Sequence, residues 1–120
     1  MANPRLTKEQ REILFAPLLA RVKAELESSA AGDPRVLWAL RRKLAKELMY
    51  LERSTPAERT RLKAKKWGAQ NGVCAMCGKP MPQKHSELDR FEAYLGYTEE
   101  NTQLVHHECH VGDQAKKGYA

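Results

Sequence analysis

Residues 74–78, Cys74-Ala75-Met76-Cys77-Gly78, are answered by residues 106–110, His106-His107-Glu108-Cys109-His110. A C-x-x-C-G step is a tight turn that aims two thiolates at one point. The later H-x-x-C step completes a set of three sulfurs and one imidazole nitrogen, which suits a tetrahedral Zn2+ ion. The 28 residues between the two steps, 78–105, leave room for a hairpin and a loop. Cys74, Cys77, His106 and Cys109 are therefore the expected ligands of a structural zinc. His107 and His110 stand near enough to replace His106, but only His106 keeps the knuckle spacing to Cys109.

Other uses of these cysteines fit less well. Redox C-x-x-C pairs open a helix within a βαβ unit, whereas Gly72, Gly78, Pro80 and Pro82 here mark turns. Three cysteines cannot all pair in disulfides, and the N-terminal residues lack the shape of a signal peptide. A reducing, cytoplasmic setting is the expectation. No apolar run approaches the length that spans a bilayer, so no membrane partner is expected.

Working outward, the roughly fifty residues around this motif are too few to bury a secure core, and a metal staple is the usual remedy. The chain has 120 residues, with 21 Lys and Arg against 15 Asp and Glu, a net charge of +6. That balance favours an anionic partner, of which nucleic acid is the commonest. From Arg53 to Lys66 there are six basic residues and one acid, Glu58. Arg59, Arg61, Lys63, Lys65 and Lys66 form either a solvated helix face or a surface for phosphates. Lys116 and Lys117 carry the basic character into the last helix.

Three helices are expected before the motif. Thr7-Lys8-Glu9-Gln10 reads as a capping box, and Ile13, Leu14, Leu18, Val22 and Leu26 recur at helical spacing, so one face should be buried. Pro17 should kink or divide this helix, and residues 28–32 break it. Asp33-Pro34 opens a second helix, striped by Leu37, Leu40, Leu44, Leu48 and Leu51. The stripe suits a hairpin against the first helix, and it also offers a face for a protein partner or dimer. Trp38 belongs to core or interface. Thr55, Pro56 and Glu58 open the third helix. Short strands follow near residues 87–91 and 103–105, then a helix from about Cys109; Phe91, Tyr94 and Tyr97 read as small-domain core.

Cys74-x-x-Cys77, Glu87-Leu88-Asp89-Arg90, Asn101-Thr102-Gln103-Leu104-Val105 and His106-x-x-Cys109-His110 together resemble the HNH endonuclease superfamily. The resemblance covers residues 67–117. It implies a zinc-stapled ββα-metal domain (residues 67–120), which together with the helical extension read above (residues 1–66) makes the chain α+β. It implies an enzyme that hydrolyses DNA phosphodiesters, using Mg2+ or another divalent ion such as Mn2+ or Ni2+ beside the zinc; the partner expected is DNA, with RNA as the alternative. In that pattern Asp89 and His110 hold the catalytic ion and Asn101 fixes the loop between the strands.

One position departs from the family. Arg90 stands where most members place the general-base histidine. A guanidinium stays protonated and cannot accept a proton. Arg90 would instead clamp phosphate, and His85, Glu87, His107 or a metal-bound water would activate the nucleophile. The plainer alternative for Asp89 and Arg90 is a surface ion pair or a strand-edge charge. The replaced base also admits two non-enzymatic readings: a zinc-containing module that binds nucleic acid without cutting it, and an interaction protein whose zinc domain is scaffold.

Overall fold

The structure is a computed structural model that describes residues 3–117; the side chains of Gln114 and Lys117 lie outside what is described. Its architecture is α+β: three helices, then a two-stranded antiparallel sheet and a closing helix. The chain divides into two compact units, one of residues 4–49 and one running from Tyr50 to the C-terminal helix. The break thus precedes the third helix rather than following Lys66, because that helix packs on the sheet.

In the first unit, α1 runs without interruption through Lys8–Gln10, a π-helical segment Arg11–Phe15 and Ala16–Ala30. Thr7 caps it: its hydroxyl accepts from Gln10 N at 3.0 Å, and Gln10 Oε1 accepts from Thr7 N at 2.9 Å. Pro17 does not divide the helix. It stands two residues past the end of the π segment, where a widened turn relieves the missing N–H and the ring's clash with the preceding carbonyl. The helix continues through Ser28 and stops only at Ala31 and Gly32, both left-handed (φ 51° and 84°). Asp33 Oδ1 then accepts from Arg35 N at 2.9 Å and opens α2, Pro34–Arg53.

The apolar stripes lie where the periodicity puts them, but they are covered only near the turn. Val22, Leu26, Leu37, Leu40 and Leu44 are half-buried, while Ile13, Leu14, Leu18, Leu48 and Leu51 are exposed. The buried face expected for all of α1 is therefore limited to its C-terminal half. Trp38 is exposed, with the Arg42 guanidinium 5.0 Å from its ring centre.

The second unit holds the core. α3, Pro56–Ala69, opens with a second capping box, in which Glu58 N donates to Thr55 Oγ1 at 3.2 Å and Thr55 N donates to Glu58 Oε1 at 3.3 Å. Strand β1, Ser86–Arg90, pairs with β2, Thr102–His106, in a register that sets Ser86 opposite His106 and Asp89 opposite Gln103. The last helix, α4, is His107–Lys117 and starts directly at the end of β2. Buried Cys74, Met81, Leu104 and Val105 form the core, with Trp67, Leu88 and Cys109 against it. Phe91 and Tyr94 are exposed rather than core, because the loop that carries them runs over the surface.

One amide joins helix to sheet. Gln70, just past α3, donates to Leu104 O and Val73 O, each at 2.9 Å, and accepts from Leu104 N at 2.9 Å. Trp67 Nε1 adds a bond to Met81 O at 3.1 Å. The intervening turn uses Asn71 and Gly72 in left-handed conformation (φ 56° and 71°). A Cβ on Gly72 would lie 2.9 Å from Trp67 Cζ2. Gly72→Ala is thus expected to lower unfolding stability by about 1–3 kcal/mol through backbone strain and that contact. Urea denaturation of the metal-loaded chain measures it, with Gly112→Ala, a position with open space around it, as the comparison.

Candidate functional site

The knuckle brings two thiols together before any metal is considered. Cys74 N donates to Lys79 O and Gly78 N to Cys74 O, each at 2.9 Å, closing the turn. Ala75 N bonds Leu104 O at 3.1 Å and docks the turn on β2. His106 ends β2 and Cys109 lies in the first turn of α4, so the strand–helix junction delivers the other two donors. The donor atoms of Cys74, Cys77, His106 and Cys109 all lie within 4.8 Å of one another. Donors of a tetrahedral zinc–thiolate site stand about 3.8 Å apart, so this group can close on one ion with small movements.

His106 is oriented for ligation. Its Nε2 lies 3.2 Å from Pro80 O, a carbonyl that can only accept, so the proton sits there. Nδ1 is left with its lone pair toward Cys77 Sγ, 3.3 Å away. This is the outer partner that metal-bound histidines usually have. His107 and His110 face elsewhere, which leaves His106 as the imidazole of the group.

The thiols show why a cation belongs there. Burial pushes Cys74 up, but the N–H groups of Cys77, His106 and Met76 outweigh it and bring the thiol down to about 6. Cys109 is pushed up to about 11 by burial and by the facing sulfurs of Cys74 and Cys77. Three adjacent sulfurs can all be deprotonated only with positive charge among them. None of the three is in a disulfide.

A second group lies across the same junction. Strand alternation puts Glu87 and Asp89 on one face of β1, and α4 brings His107 and His110 to it. Asp89, fully buried, accepts from Gln103 Nε2 at 3.1 Å and faces His110 Nδ1 at 3.2 Å. Glu87 lies 2.6 Å from His107 Nδ1 and 3.7 Å from His110 Nε2. The hydrogen bond and charge of Glu87 hold His107 more basic than an isolated histidine. Glu87 and His110 open onto a groove of about 410 Å3 whose opposite wall is Arg59, Thr60 and Lys63 of α3, with Tyr97 beside them.

The remaining expected site residues divide. Asn101 is the loop's anchor: its Nδ2 donates to Glu92 O at 2.8 Å and Gly96 O at 2.6 Å, and its Oδ1 accepts from Glu92 N at 3.1 Å. Arg90 places Nη1 on Ala93 O at 3.1 Å, and its guanidinium lies 4.6 Å from the centre of the Tyr97 ring. Arg59 bonds Arg53 O and Ser54 O, and Lys63 reaches Lys84 O. Lys65 pairs with Glu99 at 2.9 Å, and Lys66 bonds the carbonyl of the same residue. Arg61 and Lys116 are exposed. Of the basic residues, then, Arg59 and Lys63 are the ones that line the groove. His85 is exposed on the turn before β1.

Gln70 and Tyr97 carried no motif, and only the docked helix shows their use. Glu87 had a usable signal, since it lies two residues before Asp89 on the same strand face. Compared with family models, curated proteins and solved structures, the chain matches none of them.

Two outcomes follow. The purified chain is expected to hold one Zn2+, and Cys109→Ser or Cys74→Ser to lose it, as read by elemental analysis. Asn101→Ala removes three hydrogen bonds and is expected to cost about 2–3 kcal/mol. Faster amide exchange confined to residues 91–100 would identify that loss as local.

Proposed function

We propose that the chain is a metal-dependent endonuclease of the HNH type that hydrolyses DNA phosphodiesters, its zinc site serving as scaffold. One observation carries the reading: a buried carboxylate, Asp89, backs His110 at the edge of a groove whose far wall is basic. An acidic and imidazole wall facing Arg59 and Lys63 suits a cation on one side and a phosphate on the other.

The two donor sets fit two different ions. Three thiols and an imidazole are the soft-to-borderline set of zinc, whereas Asp89 and His110 offer oxygen and nitrogen, suited to Mg2+, Mn2+ or Ni2+. When bound at the groove, such an ion lowers the pKa of water and offsets phosphate charge. The chain's own residues do the rest. Asp89 accepts from His110 Nδ1 and fixes its ring. Arg59 and Lys63 draw the phosphate backbone into the groove with affinity independent of sequence. Asn101 holds the 91–100 loop, and with it Tyr97, against the groove.

Arg90 accepts no proton, and its bond to Ala93 O makes it part of the loop's frame. That observation favours a second reading, a zinc-containing module that binds DNA or RNA without cutting. The exposed stripe of Ile13, Leu14 and Leu18 supports a separate role for residues 4–49 in recruiting a protein partner or a second copy.

Supercoiled-plasmid cleavage with Mg2+, Mn2+ or Ni2+ separates these readings. The nuclease reading expects nicking that EDTA abolishes and that His110→Ala reduces by about 100-fold or more, with zinc retained. Retained plasmid binding without cleavage in any metal would leave the binding module. In either case Lys63→Ala should weaken binding and make its salt dependence shallower by about one unit of log–log slope.

A further inference from the structure

The resemblance gives the groove-side metal to Asp89 and His110, but the hydrogen bonds around them assign the oxygen differently. Asp89 has no exposed surface, and both its oxygens are engaged, Oδ1 with His110 and Oδ2 with Gln103. Glu87, on the same strand face, keeps 36% of its side-chain surface. We infer that Glu87 and His110 hold the divalent ion at the groove, through Glu87 Oε2 and His110 Nε2, and that Asp89 is the positioning residue behind them. This deepens the nuclease reading and rests on it for the chemistry that follows, but not for the binding of the ion.

Each proposed donor has one atom tied back and one atom free to face its neighbour. Asp89 takes His110 Nδ1, which directs the other ring nitrogen, Nε2, outward. His107 takes Glu87 Oε1 at 2.6 Å, which leaves Oε2. Those two remaining atoms stand 3.7 Å apart. Two donors at that separation can each lie about 2.1 Å from a single hard cation. A carboxylate behind a ligating imidazole is the usual outer partner of a metal-bound histidine. Both donors border the 410 Å3 groove, which has room for waters to complete the coordination. Arg59 and Lys63 on the opposite wall can offset the charge of an anion bridging to the ion.

The probe is Mn2+ alone, titrated into the zinc-loaded full chain and followed by electron paramagnetic resonance, without nucleic acid. Zinc content and circular dichroism of each variant certify the fold. Glu87→Gln lies on the half-exposed groove edge, and Asp89→Asn is nearly isosteric and can still accept from Nδ1. The unaltered chain is expected to bind one Mn2+. Glu87→Gln should weaken it by about 100-fold and Asp89→Asn by about tenfold, the scale of an outer-partner loss. A loss in Asp89→Asn equal to or larger than that in Glu87→Gln makes Asp89 the ligand and overturns the inference. So does an unaltered chain that binds no Mn2+ beyond its zinc. Plasmid cleavage is scored separately: Mn2+ held through Glu87 without cleavage removes the nuclease reading alone. Cleavage with Mn2+ affinity indifferent to Glu87 removes this inference alone.

Discussion

Three sulfurs and an imidazole nitrogen within 4.8 Å of one another are the constraint on which the second unit depends. Without a cation this concentration of donors is electrostatically awkward, as the opposed shifts of Cys74 and Cys109 show. With one, it joins the knuckle to the β2–α4 junction, two segments far apart in sequence. The buried core around it is small: Cys74, Met81, Leu104 and Val105. One of those four residues, Cys74, is itself one of the clustered donors, so an ion bound there would couple metal binding to core formation.

From that staple the rest of the unit follows by hydrogen bonds to backbone. Gln70 engages both the N–H and the C=O of Leu104, which a residue of another shape could not do at once. The Asn101 amide does the equivalent for the loop. These contacts hold the walls of the groove with few apolar atoms. The basic side chains of α3 contribute as well, since Arg59, Lys63 and Lys66 all bond carbonyls of neighbouring segments. The charge of that helix is partly structural cross-linking.

What could be read in the sequence was what depends on short spacing. The ligand steps, both capping boxes, the Asn71-Gly72 turn and the strand pair each declare themselves within a few residues. Asn101 stood out in the sequence only through the resemblance, and its bonds to residues 92 and 96 come from the structure alone. The misses have a common cause. The Ile13, Leu14 and Leu18 stripe is apolar at helical period, but periodicity says which face is apolar and not what covers it. Likewise strand alternation sets Glu87 on the face of Asp89, but only the placement of α4 brings two histidines against it. Phe91 and Tyr94 were expected inside because of their size; a surface loop fixed by polar bonds left them outside.

The junction of β2 and α4 carries a consequence of a different kind. His106 and Cys109 face the sulfur cluster, while His107 and His110 face the carboxylates of β1. The two pairs have the same i, i+3 spacing and are offset by a single position. One residue of α-helix corresponds to a rotation of about 100°. A one-residue deletion ahead of Cys109 would therefore set His110 where that thiol belongs, and a one-residue insertion would set Cys109 against buried Asp89. The exposed turn at residues 82–84, outside the core, can vary in length at little cost. Residues 106–110 cannot, and for any lineage of this chain they form a frame in which substitution is conceivable but a change of length is not.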